Sequence, residues 1–384
     1  MSDWPSTLLP AVIPACLVAV SWVYCLLLVV AARRYRAVPA PAGGPFEPVS
    51  ILKPLHGLDE GLEQNLRTFF EQDYRAFELL FAAREETDPG LTLARRLAAE
   101  YPHIPAGFLT TGDPPWPNAK AWSLNLMMRE ARHDLLVMSD SDIRVTPDML
   151  RTLAAEFRDP RLGVATCPYR AVAGRSLWST LEAIGMNTEF WGGALAARLV
   201  ERGVHFAVGP TLAARRGAVE AAGGWDHLSA YLAEDFVLGQ KAAQAGYEVI
   251  LSRFVVEHRI GSQPFLANLS HRLRWNRSTG RSRPAGYVGQ VLTNPLPLAL
   301  ILTAVQPRLW PALIVTAVLR VWTAYEVAVL TLRDRPGLGF WLLLPLQDLL
   351  SFATWIAGFF GNKIHWRGRR YRLLSDGRFE LLPS

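Results

Sequence analysis

Residues 8–31 carry no charge, and Arg33, Arg34 and Arg36 follow at once. At about 1.5 Å of rise per residue, those 24 residues cross a ~30 Å hydrocarbon core as one helix. A secretory leader needs a basic residue ahead of a shorter apolar run. No basic residue precedes Leu8, so the segment reads as a retained anchor. The arginine cluster predicts that the chain beyond it faces the cytoplasm.

The rest of the apolar content also lies in blocks. Of 384 residues, 50% are hydrophobic and 19% charged, with mean hydropathy +0.13. The charged fraction is below the ~25% of a soluble domain, and the composition excludes a disordered or collagen-like chain. Three apolar stretches lie near residues 291–305, 309–332 and 338–361. The second holds Arg320 and Glu326, the third Gln347 and Asp348. Charges at such depth are expected to face partners or a wet cavity. The tail, 363–384, has six Lys/Arg against Asp376 and Glu380, and is expected on the cytoplasmic side. Three full crossings would put it on the other side. The short stretch 291–305, with Pro295 and Pro297, is therefore expected to be interfacial or re-entrant. The expected domains are an anchor (1–37), a cytosolic domain (38–285), membrane helices (286–361) and a basic tail (362–384).

Three cysteines, Cys16, Cys25 and Cys167, lack metal-type spacing and give no disulfide framework. The net charge of +6 comes largely from arginines beside the apolar segments, which suits anionic lipid headgroups. Basic and aromatic residues are not interleaved as nucleic acid binding requires.

A Pro/Gly-rich linker (38–48) precedes a middle region in which short apolar runs alternate with helical patterns. Strands are predicted at 49–52, 78–83, 106–109 and 135–139. Helices are predicted at 61–72, with Leu62, Leu66, Phe69 and Phe70 on one face, and at 91–101 and 123–132. This alternation predicts a parallel α/β sheet, which binds ligands beyond the carboxyl ends of its strands. Lys53 through Gly57 follow the first strand, Arg84 through Asp88 the second, and Asp140 and Asp142 the fourth. The three aspartates then share one rim. No GxGxxG or GxxxxGK[ST] loop is present, so dinucleotide and P-loop folds lose support.

Carboxylates are hard ligands suited to Mg2+ or Mn2+. Asp140 and Asp142 can serve one ion only if the chain turns between them. Such an ion would bridge a diphosphate and neutralise a departing nucleotide. Asp-Ser-Asp is also ordinary turn chemistry. Glu234 and Asp235 put two acids into an apolar stretch. They are either the start of a helix or a general base for a hydroxyl acceptor, with Glu234 the second choice. Five arginines lie within 272–283. Arg274 and Trp275 suit a phosphate and a flat apolar surface; Arg281 and Arg283 suit a juxtamembrane collar as well.

In this order, the run 49–57 (VSILKPLHG), Thr87 to Pro89, the run 139–145 (SDSDIRV), Ala233 to Asp235 and the run 271–275 (HRLRW) resemble the ceramide glucosyltransferase family. The resemblance covers most of the chain. It implies the GT-A fold and processive-type inverting sugar transfer. The family motif is three aspartates followed by Gln/Arg-x-x-Arg-Trp. Asp88 matches the nucleotide aspartate, Asp140 the metal and diphosphate aspartate, and Asp235 the catalytic base. Arg274 and Trp275 match the closing pair. His271 stands where Gln or Arg is usual and brings a possible pH sensitivity. Asp142 completes an Asp-x-Asp that favours a metal, and Lys120 resembles a residue facing the donor diphosphate. The implied donor is a UDP-sugar, glucose first. The implied acceptor is a membrane lipid, ceramide or, as in bacterial relatives, the hopanoid bacteriohopanetetrol taking N-acetylglucosamine. A polysaccharide synthase and a scaffold with a degenerate sugar site are the competing classes. The expected setting is a multi-pass protein of a bacterial inner membrane.

Overall fold

Burial explains why the apolar runs become strands. β1 (Val49–Pro54), β2 (Phe77–Ala83), β3 (Ala106–Thr110) and β4 (Leu135–Ser139) pair in parallel in a computed structural model that describes residues 4–40, 47–366 and 369–382. β2 and β4 are buried throughout and β1 nearly so, whereas the edge strand β3 is only part-buried. Near-continuous apolar runs are what central parallel strands require. Helix Leu62–Phe70 buries Leu62, Leu66, Phe69 and Phe70, each worth roughly 1.5–3 kcal/mol when removed from water. The helix expected from residue 123 begins earlier, as Ala119–Glu130, because the Asn118 side-chain oxygen Oδ1 accepts the N–H groups of Lys120 and Ala121 at 3.1 Å each.

Nine further strands complete the sheets: β5 (Ile143–Arg144), β6 (Leu162–Thr166), β7 (Tyr169–Val172), β8 (Thr211–Arg215), β9 (Glu248–Leu251), β10 (Val256–Arg259), β11 (Lys363–Trp366), β12 (Arg369–Leu373) and β13 (Phe379–Leu381). The main sheet has the order β3-β2-β1-β4-β8-β6-β9. It is mixed, correcting the expectation of a parallel sheet: β8 runs antiparallel to both β4 and β6. The Asp140 N–H donates to Pro210 O at 3.0 Å, so the chain enters β8 at the carboxyl end of β4 and must run back along it. A small sheet, β5-β10-β7, carries the turn after β4.

The chain divides into two units. The α/β unit holds residues 39–174, 201–262 and 363–384; the helical unit holds 1–38, 175–200 and 263–362. Residues 175–200, expected inside the sheet domain, belong to the helical unit, because their apolar helices Leu177–Gly185 and Trp191–Val200 pack there. The expected basic tail is the ordered sheet β11-β12-β13. Most of the linker at 38–48 lies outside the described residues, as do 367–368 in the tail.

Among the described residues of the helical unit, three helices are long and apolar enough to cross a membrane: Pro10–Arg36, Pro307–Thr331 and Leu338–Gly358. Pro284–Thr293 and Pro295–Val305 make a fourth candidate bent by 65°, so the stretch expected to be re-entrant is part of a broken span or a re-entrant loop. Ala11 and Val18 pack against Leu298, Ala299 and Leu302. The charges in the apolar segments all have partners. Glu326 accepts Arg33 Nη2 at 2.7 Å and Arg36 Nη2 at 2.6 Å. Arg320 meets Asp348 at 2.7–3.1 Å and donates to Thr188 Oγ1 at 2.9 Å.

Arg320 and Asp348 are 3% and 0% exposed, so removing one strands the other. Asp348→Ala is expected to cost about 3–5 kcal/mol, and Arg320→Met with Asp348→Leu to recover most of it. Thermal unfolding in detergent checks this. Equal losses in the single and double variants would contradict the pairing.

Candidate active site

Asp140 stands at the mouth of β4, where the Ser139 hydroxyl hydrogen-bonds Thr211 Oγ1 at 3.0 Å. Ser141 and Asp142 then turn the chain into β5, the turn that bringing both carboxylates to one ion demands. β10 holds Asp142: the Arg259 N–H donates to its carbonyl at 2.8 Å, and His258 Nε2 lies 3.1 Å from its Oδ2. Burial opposes ionisation of Asp142, but His258, Lys53 and Lys120 hold its pKa below the usual carboxylate range. Its Oδ1 is buried without a hydrogen-bond partner.

Lys120 is the hub of the site. The Asn118 cap sets its helix start, and its ammonium lies 2.6 Å from Asp140 Oδ1, 3.8 Å from Glu234 Oε1 and 3.3 Å from Gly209 O. Burial works against its charge, but Asp140 and Glu234 more than restore it and raise its pKa. Asn118 also donates to Glu234 Oε2 at 2.9 Å and Tyr231 O at 3.1 Å. Of the two alternatives for the acid pair the helix start is observed, as helix Glu234–Gln244, and the two acids also face Lys120. Burial pushes Glu234 up to about 7, Lys120 opposing and Asp235 adding to the rise. Burial also raises Asp235, against Lys120 and the N–H groups of Phe236 and Gly209. A Cβ at 209 would meet Asp235 Oδ2 at 2.8 Å and Lys120 Nζ at 3.3 Å, so any side chain there would displace one or both.

Beneath Asp140 lies Lys53, fully buried, its ammonium 3.8 Å from the centre of the Phe69 ring and donating to Asp140 O at 2.5 Å. Burial pushes its pKa down to about 7, against the pull of Asp140 and Asp142. The motif at 53–57 contained this lysine, but nothing in the sequence marked it as a support for Asp140. His258 carried no sequence signal either, and Asn118 only that of a helix cap, for Asp142, Glu234 and Tyr231 lie far along the chain from them.

Asp88 occupies a different position. Its Oδ1 accepts the Gly90 and Leu91 N–H groups at 2.8 and 3.3 Å, and its Oδ2 accepts the Gly57 N–H at 2.9 Å. The carboxylate thus ties the loop after β1 to the helix after β2. A small solvent-open cleft lies over the ends of β1, β2 and β3, with Pro54, Leu55, Arg84 and Thr111 in its wall. His271, Arg274 and Trp275 belong to helix Phe265–Ser282 of the helical unit. There His271 Nδ1 lies 2.5 Å from Glu182 Oε1, which is itself tied to Asn268, and the His271 ring is 5.4 Å from that of Trp275. Their assignment to the nucleotide rests on the family motif. Among the described residues no three His, Cys, Asp or Glu side chains group closely enough to hold a metal unaided.

An α/β sheet with acids and a lysine at its strand ends defines a class that the comparisons resolve. The model of Glycosyl transferase family 21 matches residues 13–379, and the chain belongs to that family. It is similar to Ceramide glucosyltransferase 1 of Caenorhabditis elegans, 28% identical over 59% of this chain and 48% of that one. Ceramide glucosyltransferase 3 of the same organism is 23% identical over 87% of this chain and 74% of that one. The chain thus spans about half the length of the first relative. Among solved structures, a mannosyltransferase from Pyrobaculum calidifontis in complex with GDP-Man and Mn2+ matches with a TM-score of 0.55 and 20% identity, over 91% of this chain and 97% of that one. The fold is the expected GT-A type, and this member of Glycosyl transferase family 21 is related to the ceramide glucosyltransferases.

Gly209→Ala should push Asp235 and Lys120 apart and slow turnover, read as nucleotide release from a nucleotide sugar, by about tenfold or more. An unaltered melting temperature would separate this from misfolding. Wild-type turnover would show that Asp235 is not held through Gly209.

Proposed function

We propose that this glycosyltransferase moves a sugar, glucose first, from a UDP-sugar to a hydroxyl of a membrane lipid of the ceramide type, with inversion. The observation that carries this is the part-buried cluster of Asp140, Lys120, Glu234 and Asp235 at the strand ends of a chain that also holds membrane-length helices. Asp235 takes the proton of the acceptor hydroxyl as its oxygen bonds to the anomeric carbon. The bond from that carbon to the diphosphate oxygen breaks, and the electron pair leaves with the nucleotide. Lys120 meets the negative charge that develops there. Asp88 acts by fixing the loop after β1, against which the nucleotide lies.

Asp140 and Asp142 fit a divalent cation, Mg2+ or Mn2+. They sit on one turn, and Asp142 keeps a buried oxygen without a hydrogen-bond partner. Such ions are commonly held by one or two carboxylates plus substrate phosphates. When bound, the ion supplies charge neutralisation at the diphosphate. The catalytic unit is proposed to face the cytoplasm, as the Arg33, Arg34 and Arg36 cluster directs.

The test is UDP release and lipid mass spectrometry with purified protein, UDP-glucose or UDP-N-acetylglucosamine, Mn2+ or Mg2+, and ceramide or a hopanoid. A glucosylated ceramide supports the proposal. An N-acetylglucosaminyl hopanoid replaces both the sugar and the acceptor, and a high-molecular-weight polymer overturns lipid transfer. Asp235→Asn is expected to lose ~10²–10⁴-fold in rate while binding UDP as before. A base works deprotonated, and burial raises this one. kcat/KM should therefore fall with decreasing pH well above the ~3.9 of an ordinary aspartate. An acid limb below about pH 4 would exclude Asp235 in its buried state.

A further inference from the structure

Past the membrane-length helices the chain returns to the α/β unit as the sheet β11-β12-β13. Pairing fixes its faces. Trp366 lies opposite Arg369 and Ile364 opposite Tyr371, so these four share one face, and Arg370 and Arg372 lie on the other. The first face is anchored: Ile364, Tyr371, Leu373 and Phe379 form an apolar cluster with Leu232. The Phe379 N–H donates to Ala230 O at 3.1 Å, and Tyr231 bridges to Arg378. The segment braced in this way leads directly into Glu234 and Asp235.

The same face reaches the cleft over β1, β2 and β3, to which it contributes Trp366, Arg369 and Tyr371. Among the described residues no Asp or Glu lines that cleft, and Arg84 and Arg369 bring guanidinium groups to it. Arg84 has a mostly exposed partner, Asp113, at 3.6 Å; Arg369 forms no ion pair among the described residues. A cationic, aromatic cleft without carboxylates selects an anion that carries a flat ring. A nucleoside diphosphate meets both demands, through stacking on Trp366 and charged hydrogen bonds from Arg369.

We infer that the C-terminal sheet is the outer wall of the donor site, with Trp366 and Arg369 binding the nucleotide. This rests on the nucleotide-sugar reading above and adds residues that the family motif does not contain. Because one face of the sheet serves both the cleft and the 230–232 segment, nucleotide binding and the placement of Asp235 share a support.

The experiment is titration of the full-length protein in detergent with UDP, and in parallel GDP, each with Mn2+. Arg369→Gln and Trp366→Leu are compared with Arg370→Gln and Arg372→Gln, which remove similar charge from the opposite face. Arg369→Gln and Trp366→Leu should weaken nucleotide binding about tenfold or more and raise the donor KM more than they lower kcat; the two controls should leave both unchanged. Arg369 is exposed, so its substitution should not disturb folding, and it keeps the test valid if Trp366→Leu fails to fold. If wild type binds nucleotide and Arg369→Gln binds it equally well, the wall is not a nucleotide contact and the inference falls alone. If wild type binds neither UDP nor GDP, the donor assignment falls and takes the inference with it.

Discussion

Asp140, Asp142, Glu234 and Asp235 gather at one end of the main sheet, and what makes that tolerable is Lys120. Without its ammonium, two buried acids on one helix start and two more on one turn would repel each other in a medium where charges are poorly screened. Lys120 touches one acid from each pair, and the Gly209 carbonyl fixes it between them. The Asn118 cap that starts its helix also binds Glu234, so the secondary structure and the charge balance depend on the same side chain. On the proposed mechanism the same ammonium meets the leaving diphosphate.

Lys53 balances the cluster from below. A fully buried lysine pushed down to about 7 sits close to the point of losing its proton, and Asp140 and Asp142 are what favour its charged form. The support is therefore reciprocal: the aspartates keep the lysine charged, and the lysine holds the backbone of Asp140 at the strand mouth. The Phe69 ring closes the far side, linking the apolar face of helix Leu62–Phe70 to the placement of Asp140.

The sequence made these parts legible to different degrees. Buried strands and amphipathic helices follow from local patterns, so β1 to β4 and helix Leu62–Phe70 were readable. Asp140, Asp142 and Asp235 were readable because acids in apolar surroundings at strand or helix ends are chemically conspicuous. The reversal of β8 was not, since its direction is set by where the chain re-enters the sheet after residues 175–200. His258 was not, because its role comes from register with β5 rather than from its neighbours. The tail read as a basic run because its alternation is short, and half of its pattern becomes meaningful only when Leu232 supplies the surface it covers. Arg320 and Asp348 were visible as charges out of place, but their pairing spans two helices and needed the fold.

The small sheet β5-β10-β7 gives the site a mechanical connection that no single residue supplies. β7 and β10 run in parallel, and the Gly174 N–H donates to Gly261 O at 3.2 Å just beyond them. Both strands lead out of the α/β unit at that point, one toward residues 175–200 and the other toward helix Phe265–Ser282. His258, which holds Asp142, lies on one of these departing strands, and β5, which follows Asp142, pairs with it. The carboxylate proposed to hold the metal is therefore tied to a strand that continues out of the α/β unit. On the proposed reading a water-soluble donor meets an acceptor in lipid, and two of the strands that leave the α/β unit belong to the sheet that positions Asp142.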